Sequence, residues 1–453
     1  MRNLRTWIVR NWIWLLVASL AIRLVLAPLA WGFLWDMYTY GDWAEKLVNQ
    51  PFYLFYKIAR NPDHLPGDMY LHAALGWSFH AVGGQDFQGP TYRFLLKVVP
   101  SIADTAVAIL IWSVVRRQVN EECGRLAAVF YALNPATIFL TAIWGQWDVV
   151  SGLFLLAGLA IVWRWPERWL LSIPVFAWMV LIKPPLALLA LIGLLVVPIR
   201  DIVRGATLVQ IVRMRAIQAA AALAIGLGTI TLLLRPFSVS ISGTGTRWSL
   251  FERVQYALDL YPYTTLGAAN IWMIPLGIPD RISDTGTRFL GVTLQGWGNV
   301  LFLAALVYIG AMSIRSLRKT TPIVLTVWAI SAANYAWFLL PTRAHERYLF
   351  PTVLFLILLS GLMRLERRTT SIAAAVSLVY FVNLVGVYYG IPGWLSPVLF
   401  IGASLANIAL FVAVAAMPFW WDDENIAQAE GTPLPVYAED VVGEMIEAGG
   451  ATG

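Results

Sequence analysis

Long apolar stretches alternate with short polar ones along most of the chain. Many of these stretches approach 20 residues with few charges, and a helix of about that length crosses the hydrocarbon core of a bilayer. The pattern predicts twelve spans, at about residues 12–34, 94–115, 125–141, 149–163, 169–182, 185–199, 217–234, 297–316, 321–340, 348–363, 371–389 and 395–418. The fifth and sixth are short, and a broken or re-entrant pair fits them equally well. We therefore predict an all-α polytopic membrane protein.

Composition agrees with this pattern and divides the chain in two. Hydrophobic residues make up 59% of the sequence and charged residues 13%, against roughly 25% charged in a soluble globular chain. We assign residues 1–420 to one transmembrane catalytic domain. The tail, residues 421–453, carries eight acidic residues and no Lys or Arg, so we expect it to be solvated and disordered in the cytoplasm.

The basic residues predict the orientation of the spans. They concentrate in alternate short loops, and Lys and Arg favour the cytoplasmic side of a membrane. The predicted cytoplasmic segments hold Arg2, Arg5, Arg10, Arg116, Arg117, Arg125, Arg164, Arg168, Arg200, Arg204, Arg213, Arg215, Arg315, Arg318, Lys319, Arg364, Arg367 and Arg368. Both termini are then cytoplasmic, and residues 35–93 and 235–296 form long outer loops. The first outer loop contains two amphipathic, aromatic-rich segments that predict interfacial helices.

Unusual polar groups from four separate segments fall on the predicted outer side. Asp36 follows the first span, Gln146 and Asp148 lie in the turn after the third, and Lys183 lies in the turn after the fifth. The run TRAHERYLFP, residues 342–351, lies at the outer end of the ninth span and contributes the charged or polar residues Arg343, His345, Glu346 and Arg347. Since ionisable residues at membrane depth usually serve function, this convergence predicts a site.

Simpler roles stay open for the same residues. Asp148 can stabilise a helix N-terminus by ~0.3–1 kcal/mol, Lys183 can extend to the interface, and the two arginines of the TRAHERYLFP run can be interfacial anchors paired with Glu346. Asp104 lies within the second span and needs a partner, for which Arg23 is a candidate.

The sequence offers little support for a metal or redox site. Cys123 is the single cysteine, which excludes an internal disulfide. The four histidines, His64, His72, His80 and His345, do not form a metal-binding motif, and packing is the favoured interpretation of His72 and His80. No Walker loop, GxSxG or HExxH motif is present. We predict no metal site, although a divalent metal stays an open alternative.

Three strings together resemble one family. NPATIFLTAIWGQWD, LIKPPLALLAL and PTRAHERYLFP, in this order, resemble the WGQxD, KPP and HERY stretches of bacterial membrane glycosyltransferases with the GT-C fold. That group is similar to the endoplasmic-reticulum transferases that use dolichyl-phosphate glucose or mannose. The resemblance covers about residues 10 to 365.

The first outer loop fits the resemblance with one departure. Family members have an outer Asp followed seven positions later by a Trp, and Asp36 and Trp43 keep that spacing. A DYPP-like string follows in the family, and here NPDHLPGDMYL retains Asp63 but has His64 and a leucine in place of the expected Tyr and Pro. Asp68 is a possible substitute for Asp63.

The resemblance implies an inverting transferase that moves a sugar from a polyprenyl-phosphate sugar to a hydroxyl of a glycolipid or glycan. Mannose is the expected sugar, with glucose and arabinose open, and the expected location is the extracytoplasmic face of the cell membrane. Asp36 would be the general base. The resemblance further implies phosphate binding by Arg343, His345, Arg347 and Lys183, with Glu346, Asp63, Gln146, Asp148 and Trp43 supporting or binding substrate. No cofactor is expected beyond the lipid-linked co-substrate, and no nucleic-acid partner.

Two other functions compete with this hypothesis. Twelve spans with both termini inside is also a common layout for transporters, so a transporter or flippase of a lipid-linked glycan is the main alternative. Transporters usually show internal repeats and polar groups at the midplane, whereas this sequence shows no repeat and its polar groups cluster near one face. A non-catalytic scaffold that binds lipid-linked glycans is the weaker alternative.

Overall fold

The structure of the chain is a computed structural model, which describes residues 2–243, 248–276, 282–390 and 395–421. Apart from Trp421, the predicted acidic tail lies outside the described residues. Nineteen α-helices account for most of the described chain. They are α1 (Arg2–Leu26), α2 (Leu34–Asn49), α3 (Phe55–Ile58), α4 (Pro66–Ala81), α5 (Pro90–Gln118), α6 (Glu121–Ala132), α7 (Pro135–Ile138), α8 (Asp148–Arg164), α9 (Ile173–Ile182), α10 (Ala187–Leu194), α11 (Val196–Val203), α12 (Leu208–Leu234), α13 (Leu250–Asp259), α14 (Met273–Leu276), α15 (Leu294–Arg315), α16 (Pro322–Leu339), α17 (Phe350–Leu362), α18 (Arg367–Tyr389) and α19 (Leu395–Ala416).

Short strands occur within the second outer loop. Strands β1 (Val239–Ser240) and β2 (Trp248–Ser249) pair in parallel, and β3 (Arg288–Phe289) and β4 (Val292–Thr293) pair in antiparallel fashion. The all-α prediction therefore holds for the membrane part of the described chain.

Each predicted span contains a helix, but fewer of these helices are long enough to cross a bilayer alone. Among the described residues, eight helical stretches have the length and hydropathy of a span, and a ninth is formed if α6 and the segment Pro135–Trp144, bent by 46°, count together. Helix α9 has 10 residues and α17 has 13. The prediction of about twelve spans is therefore higher than this number, because hydropathy does not show where a helix ends early.

Helix α16 lies at the centre of the bundle and packs against α10, α15, α17 and α19. Within the most apolar stretch of 18 residues in α16, 83% of the residues are buried, whereas the corresponding share is 6% for α12 and 17% for α15. Apolar side chains on α12 and α15 therefore face outward, as expected for helices in contact with lipid.

The two ends of the bundle differ in chemistry. Nε of Arg5 lies 2.6 Å from Oε1 of Glu122, which places the start of α1 beside the start of α6. This is the end that the basic residues predict to be cytoplasmic. The candidate site residues lie at the opposite ends of these helices.

A buried ion pair joins the helices between those two ends. The guanidinium of Arg23 donates to Asp104, and the hydroxyl of Tyr131 donates to the other carboxylate oxygen at 2.5 Å. Arg23 also donates to the hydroxyl of Thr137 at 3.0 Å. The contact ties α1, α5, α6 and α7 together and confirms Arg23 as the partner of Asp104.

Candidate active site

Asp36 lies in the first turn of α2, where two side chains from one distant turn hold it. Nε2 of Gln146 and Nε1 of Trp144 both donate to Oδ2 of Asp36, the latter at 3.3 Å. The hydroxyl of Tyr40 donates to Oε1 of Gln146 at 3.2 Å, which fixes the orientation of the amide. Among the described residues, Oδ1 of Asp36 accepts no hydrogen bond, so one carboxylate oxygen remains open to a substrate.

The local backbone explains how the WGQ sequence reaches Asp36. A π-helical turn, Phe139–Trp144, ends at Gly145, whose φ is +87°. A Cβ atom at this position would lie 2.8 Å from Cε of Met37, in addition to the cost of the left-handed conformation. Glycine therefore permits the sharp change of direction that brings the side chains on either side of it to one carboxylate. Single π-helical turns of this kind are frequent at functional sites.

Lys183 and Arg347 meet at Asp148, which lies in the first turn of α8. Nζ of Lys183 contacts Oδ1 of Asp148, and Nε of Arg347 lies 3.6 Å from Oδ2. Lys183 reaches this position because α9 ends just before it, and two prolines follow, so the backbone at Lys183 is extended. Its Nζ also lies 4.7 Å from the ring centre of Tyr348.

The HERY segment supplies the rest of the cationic side of the site. Nη1 of Arg347 lies 3.2 Å from Oε1 of Glu346 and 3.3 Å from Nδ1 of His345. Burial lowers the pKa of His345 well below its usual value, and the charges of Arg347 and Lys183 lower it further. His345 is therefore neutral here, so Lys183 and Arg347 are the cations of this cluster.

The electrostatics of Asp36 and Arg347 link the two sides of the site. Burial raises the pKa of Asp36, and the nearby charge of Arg347 opposes that shift. Burial alone would lower the pKa of Arg347, but Glu346 and Asp36 raise it above its ordinary value, so the guanidinium stays charged. Burial, followed by the charge of Arg347, lowers the pKa of Lys183 well below its usual value, so this ammonium depends on neighbouring anions.

Arg343, a predicted phosphate-binding residue, contacts other protein groups than the Lys183–Arg347 cluster does. Its Nε and Nη2 donate to the two oxygens of Asp284 at 2.8 and 3.2 Å, and its Nη1 donates to the carbonyl of Leu258 at 2.6 Å. Asp284 is buried and also accepts from the hydroxyl of Thr342 at 2.7 Å. Arg343 thus faces the second outer loop, away from the Lys183–Arg347 pair.

The second outer loop is fixed against the HERY segment by backbone contacts as well. The amide of Leu266 donates to the carbonyl of Ala344 at 2.9 Å. Nδ2 of Asn383 donates to the carbonyl of Gly267 at 2.8 Å, and the amide of Ala269 donates to Oδ1 of Asn383 at 3.1 Å. No local sequence pattern predicts this clamp.

Two predicted site residues of the first outer loop, Trp43 and Asp63, have different surroundings. Trp43 is 1% exposed, and its Nε1 donates to the carbonyl of Arg60 at 2.7 Å, so it connects two parts of the first outer loop. Asp63 is half-buried, and its charge acts on both Asp36 and Tyr261. Asp63 therefore lies within electrostatic range of Asp36, whereas Trp43 packs inside the first outer loop.

Two histidines of the first outer loop lie next to this region. Nδ1 of His64 is 2.6 Å from Oδ2 of Asp68. Burial lowers the pKa of His64, but the Asp68 carboxylate outweighs burial and raises it overall. The i,i+4 spacing of His64 and Asp68 at the start of α4 is the one sequence signal that could have predicted their ion pair. His72 is fully buried and stacks on Trp147 with ring centres 4.1 Å apart, and burial lowers its pKa to about 3.

A small groove lies beside Lys183, between the turn that precedes α10, the end of α16 and the start of α17. It is otherwise lined by Pro185, Leu186, Asn334, Trp337, Tyr348 and Pro351. The lining is largely apolar. In the described part of the chain, no group of three potential metal-ligating side chains is close enough to hold an ion.

Comparison with solved structures gives a fold assignment. ArnT from Cupriavidus metallidurans, in a crystal structure bound to undecaprenyl phosphate, is 13% identical over 91% of this chain and 78% of ArnT, with a TM-score of 0.50. The Archaeoglobus fulgidus oligosaccharyltransferase in its apo form is 13% identical over 90% of this chain, with a TM-score of 0.39. AglB from Archaeoglobus fulgidus, in complex with an inhibitory peptide and a dolichol-phosphate, is 14% identical over 90% of this chain, with a TM-score of 0.39. The chain spans 56% of each of these two oligosaccharyltransferases.

No protein-family model and no curated protein sequence matches the chain. The likeness to ArnT nevertheless confirms the fold expected from the sequence motifs. The protein is an integral membrane protein with the GT-C fold of membrane glycosyltransferases.

Proposed function

We propose that the protein transfers one sugar, with inversion, from a polyprenyl-phosphate sugar to a hydroxyl group of a glycolipid or glycan. One observation carries this proposal. Asp36 and Arg347 lie more than 300 residues apart in the sequence, yet one short segment contacts both: Gln146 donates to Asp36, and Oδ2 of Asp148 lies 3.6 Å from Nε of Arg347. A base and a phosphate-binding cation in one site are the two elements that this transfer requires.

Asp36 is the proposed general base. Its Oδ2 is held by two donors, and its Oδ1 is open to accept the proton of the acceptor hydroxyl as that oxygen attacks the anomeric carbon. A raised pKa makes this carboxylate a stronger base than an ordinary aspartate, provided that the pH lies above that pKa.

Lys183 and Arg347 are the proposed leaving-group site. The bond between the anomeric carbon and the phosphate oxygen breaks, and its electron pair stays on the phosphate. Cationic donors in a buried site stabilise that growing charge. Neutral His345 adjoins Arg347 and offers a further polar contact. We assign Arg343 to anchoring the second outer loop, because its guanidinium is occupied by Asp284 and Leu258.

The groove beside Lys183 suits the lipid part of the donor. A polyprenyl chain must stay in the bilayer while its phosphate reaches the cations, and the apolar lining meets that need. The undecaprenyl phosphate bound to ArnT supports a polyprenyl phosphate as the carrier.

The finer parts of the proposal rest on the sequence. We propose mannose as the sugar because of the resemblance described above. The distribution of Lys and Arg supports a site on the extracytoplasmic face and cytoplasmic termini. The resemblance to bacterial membrane glycosyltransferases supports location in the cell membrane.

The test is a transfer assay with purified protein in lipid nanodiscs. Radiolabelled polyprenyl-phosphate mannose, glucose and arabinose are offered with membranes of a deletion strain, which contain the native acceptor. We expect transfer from the mannose donor and a loss of about 10²–10⁴-fold in Asp36→Asn, the usual contribution of a general base. Glu45→Gln, a carboxylate change on the same helix, serves as the control.

The outcomes separate the competing functions. Turnover of Asp36→Asn near that of the wild type would remove Asp36 as the base. Movement of the lipid-linked sugar between leaflets without any transfer product would instead favour the flippase alternative.

A further inference from the structure

The proposed phosphate site has no excess positive charge. Its two cations, Lys183 and Arg347, are matched by the carboxylates of Asp148 and Glu346. Of these two cations, Glu346 pairs with Arg347, whereas Asp148 contacts both at once. Asp148 is 7% exposed, so water screens these contacts little.

Donor and product differ in charge at their phosphate. The donor is a phosphodiester with one negative charge. The product is a lipid phosphate monoester, which carries about −1.5 to −2 at neutral pH because its second pKa is about 6. Two unopposed cations would hold the product more tightly than the donor, and the enzyme would then be blocked by its own product.

We propose that Asp148 is a specificity-determining residue that disfavours the dianionic lipid phosphate product relative to the monoanionic donor. This inference rests on the proposed function, since it assumes that a lipid phosphate binds at the Lys183–Arg347 pair. Asp148 shares both cations and repels any phosphate beside them. The repulsive energy is about twice as large for a dianion as for a monoanion. Asp148 thereby weakens the binding of the product more than that of the donor.

The test compares two lipids with the same chain and different charge. The probes are undecaprenyl phosphate and its methyl diester, undecaprenyl methyl phosphate, and their dissociation constants are measured at pH 7.5 with purified protein in nanodiscs. In Asp148→Asn the bound phosphate takes the place of the carboxylate as the anion that keeps Lys183 charged. We expect binding of the monoester to tighten about tenfold and binding of the diester about threefold, because the electrostatic gain scales with ligand charge. Asp259→Asn removes one carboxylate from the same face with no contact to Lys183 or Arg347, and we expect less than a twofold change there.

A second variant protects the test against a failure of folding. Asp148→Ser removes the charge but keeps a residue type that is favoured at helix N-termini. Both variants are compared with the wild type in thermal melts before binding is measured.

The remaining outcomes decide between the proposals. Equal tightening for both lipids, or weaker binding of both, would overturn the role of Asp148 and show that it only positions Lys183. If neither lipid binds the wild type or any variant, the carrier class is wrong, and the proposed function fails together with this inference.

Discussion

The protein holds two buried ion-pair clusters, and they are built in opposite ways. In the Arg23–Asp104 cluster within the bundle, both carboxylate oxygens and the guanidinium have partners, and both side chains are about 1% exposed or less. In the Asp148–Lys183–Arg347 cluster, Asp148 contacts both cations, Glu346 also pairs with Arg347, and the side chains of Lys183 and Arg347 are 19% and 16% exposed. A fully enclosed pair has no room for a ligand, whereas cations at an accessible edge can exchange a carboxylate partner for another anion.

This difference separates structural from functional charge. A buried pair gives little net stability, but the loss of one partner is costly because the other charge stays buried. A cluster at a site can exchange its partners for substrate. Substitutions in the first cluster should therefore change stability, and substitutions in the second should change activity.

Arg347 gives the largest expected effect on activity. We expect Arg347→Gln to lower kcat by about 10²–10³-fold, comparable with the loss of one transition-state donor. Arg343→Gln should lower kcat by less than about tenfold, because we propose that Arg343 acts only through the second outer loop. Transfer assays with both variants provide the measurement, and equal losses would contradict the separation of the two arginines.

Arg23 gives the largest expected effect on stability. We expect Arg23→Met to lower the free energy of unfolding by about 3–5 kcal/mol, since Asp104 would then be buried without its cation. Turnover per folded molecule should stay near that of the wild type. Arg5→Gln is the control, because the Arg5–Glu122 pair is about half exposed and such pairs contribute roughly 0–1 kcal/mol. Thermal or denaturant unfolding in detergent would check both values.

Gly145 tests whether the backbone turn matters for the base. Gly145→Ala forces an alanine into the left-handed region, at a cost of about 1–2 kcal/mol, and the new methyl group meets Met37. We expect a fall in kcat of about tenfold, because a small displacement of the groups that hold Asp36 is enough to misplace it. Unchanged kcat would show that activity does not depend on the exact positions of Gln146 and Trp144 around Asp36.

The smallest expected effect is a shift in pH dependence. The hydrogen bond from Trp144 lowers the pKa of Asp36, against the larger effect of burial, which raises it. Removing that bond in Trp144→Phe should raise the pKa further. Since the base acts when deprotonated, activity falls as the pH drops through this pKa, and the acidic limb of the pH–rate profile should move to higher pH. A limb that stays in place in Trp144→Phe would indicate that a different group titrates.

Much of the site could be predicted from the sequence, because its residues occupy helix ends that the positive-inside rule assigns to one face. Asp36, Gln146, Asp148, Lys183 and Arg347 were grouped in that way, and the structure brings them together. The GT-C fold was expected from the order of three motifs, and the likeness to ArnT confirms it.

Other features depend on tertiary contacts that leave no local pattern. Arg343 and Arg347 look equivalent in the sequence, but Asp284, 59 positions before Arg343, accepts hydrogen bonds from the Arg343 guanidinium and holds it against the second outer loop. In the clamp, the second outer loop contributes only backbone groups to the hydrogen bonds, and any sequence could supply those groups. The end of α9 at Ile182 agrees with the predicted span, and the two prolines after Lys183 mark it.

The distance along the chain between Asp36 and Arg347 has a consequence for biosynthesis. Asp36 emerges from the ribosome more than 300 residues before Arg347 and before most of the bundle has been inserted. Until α16 and α17 join the earlier helices, Arg347 is absent, and the nascent protein contains only part of the site. If the proposed function holds, only a chain whose insertion has passed the ninth predicted span can bind the proposed donor at a complete site.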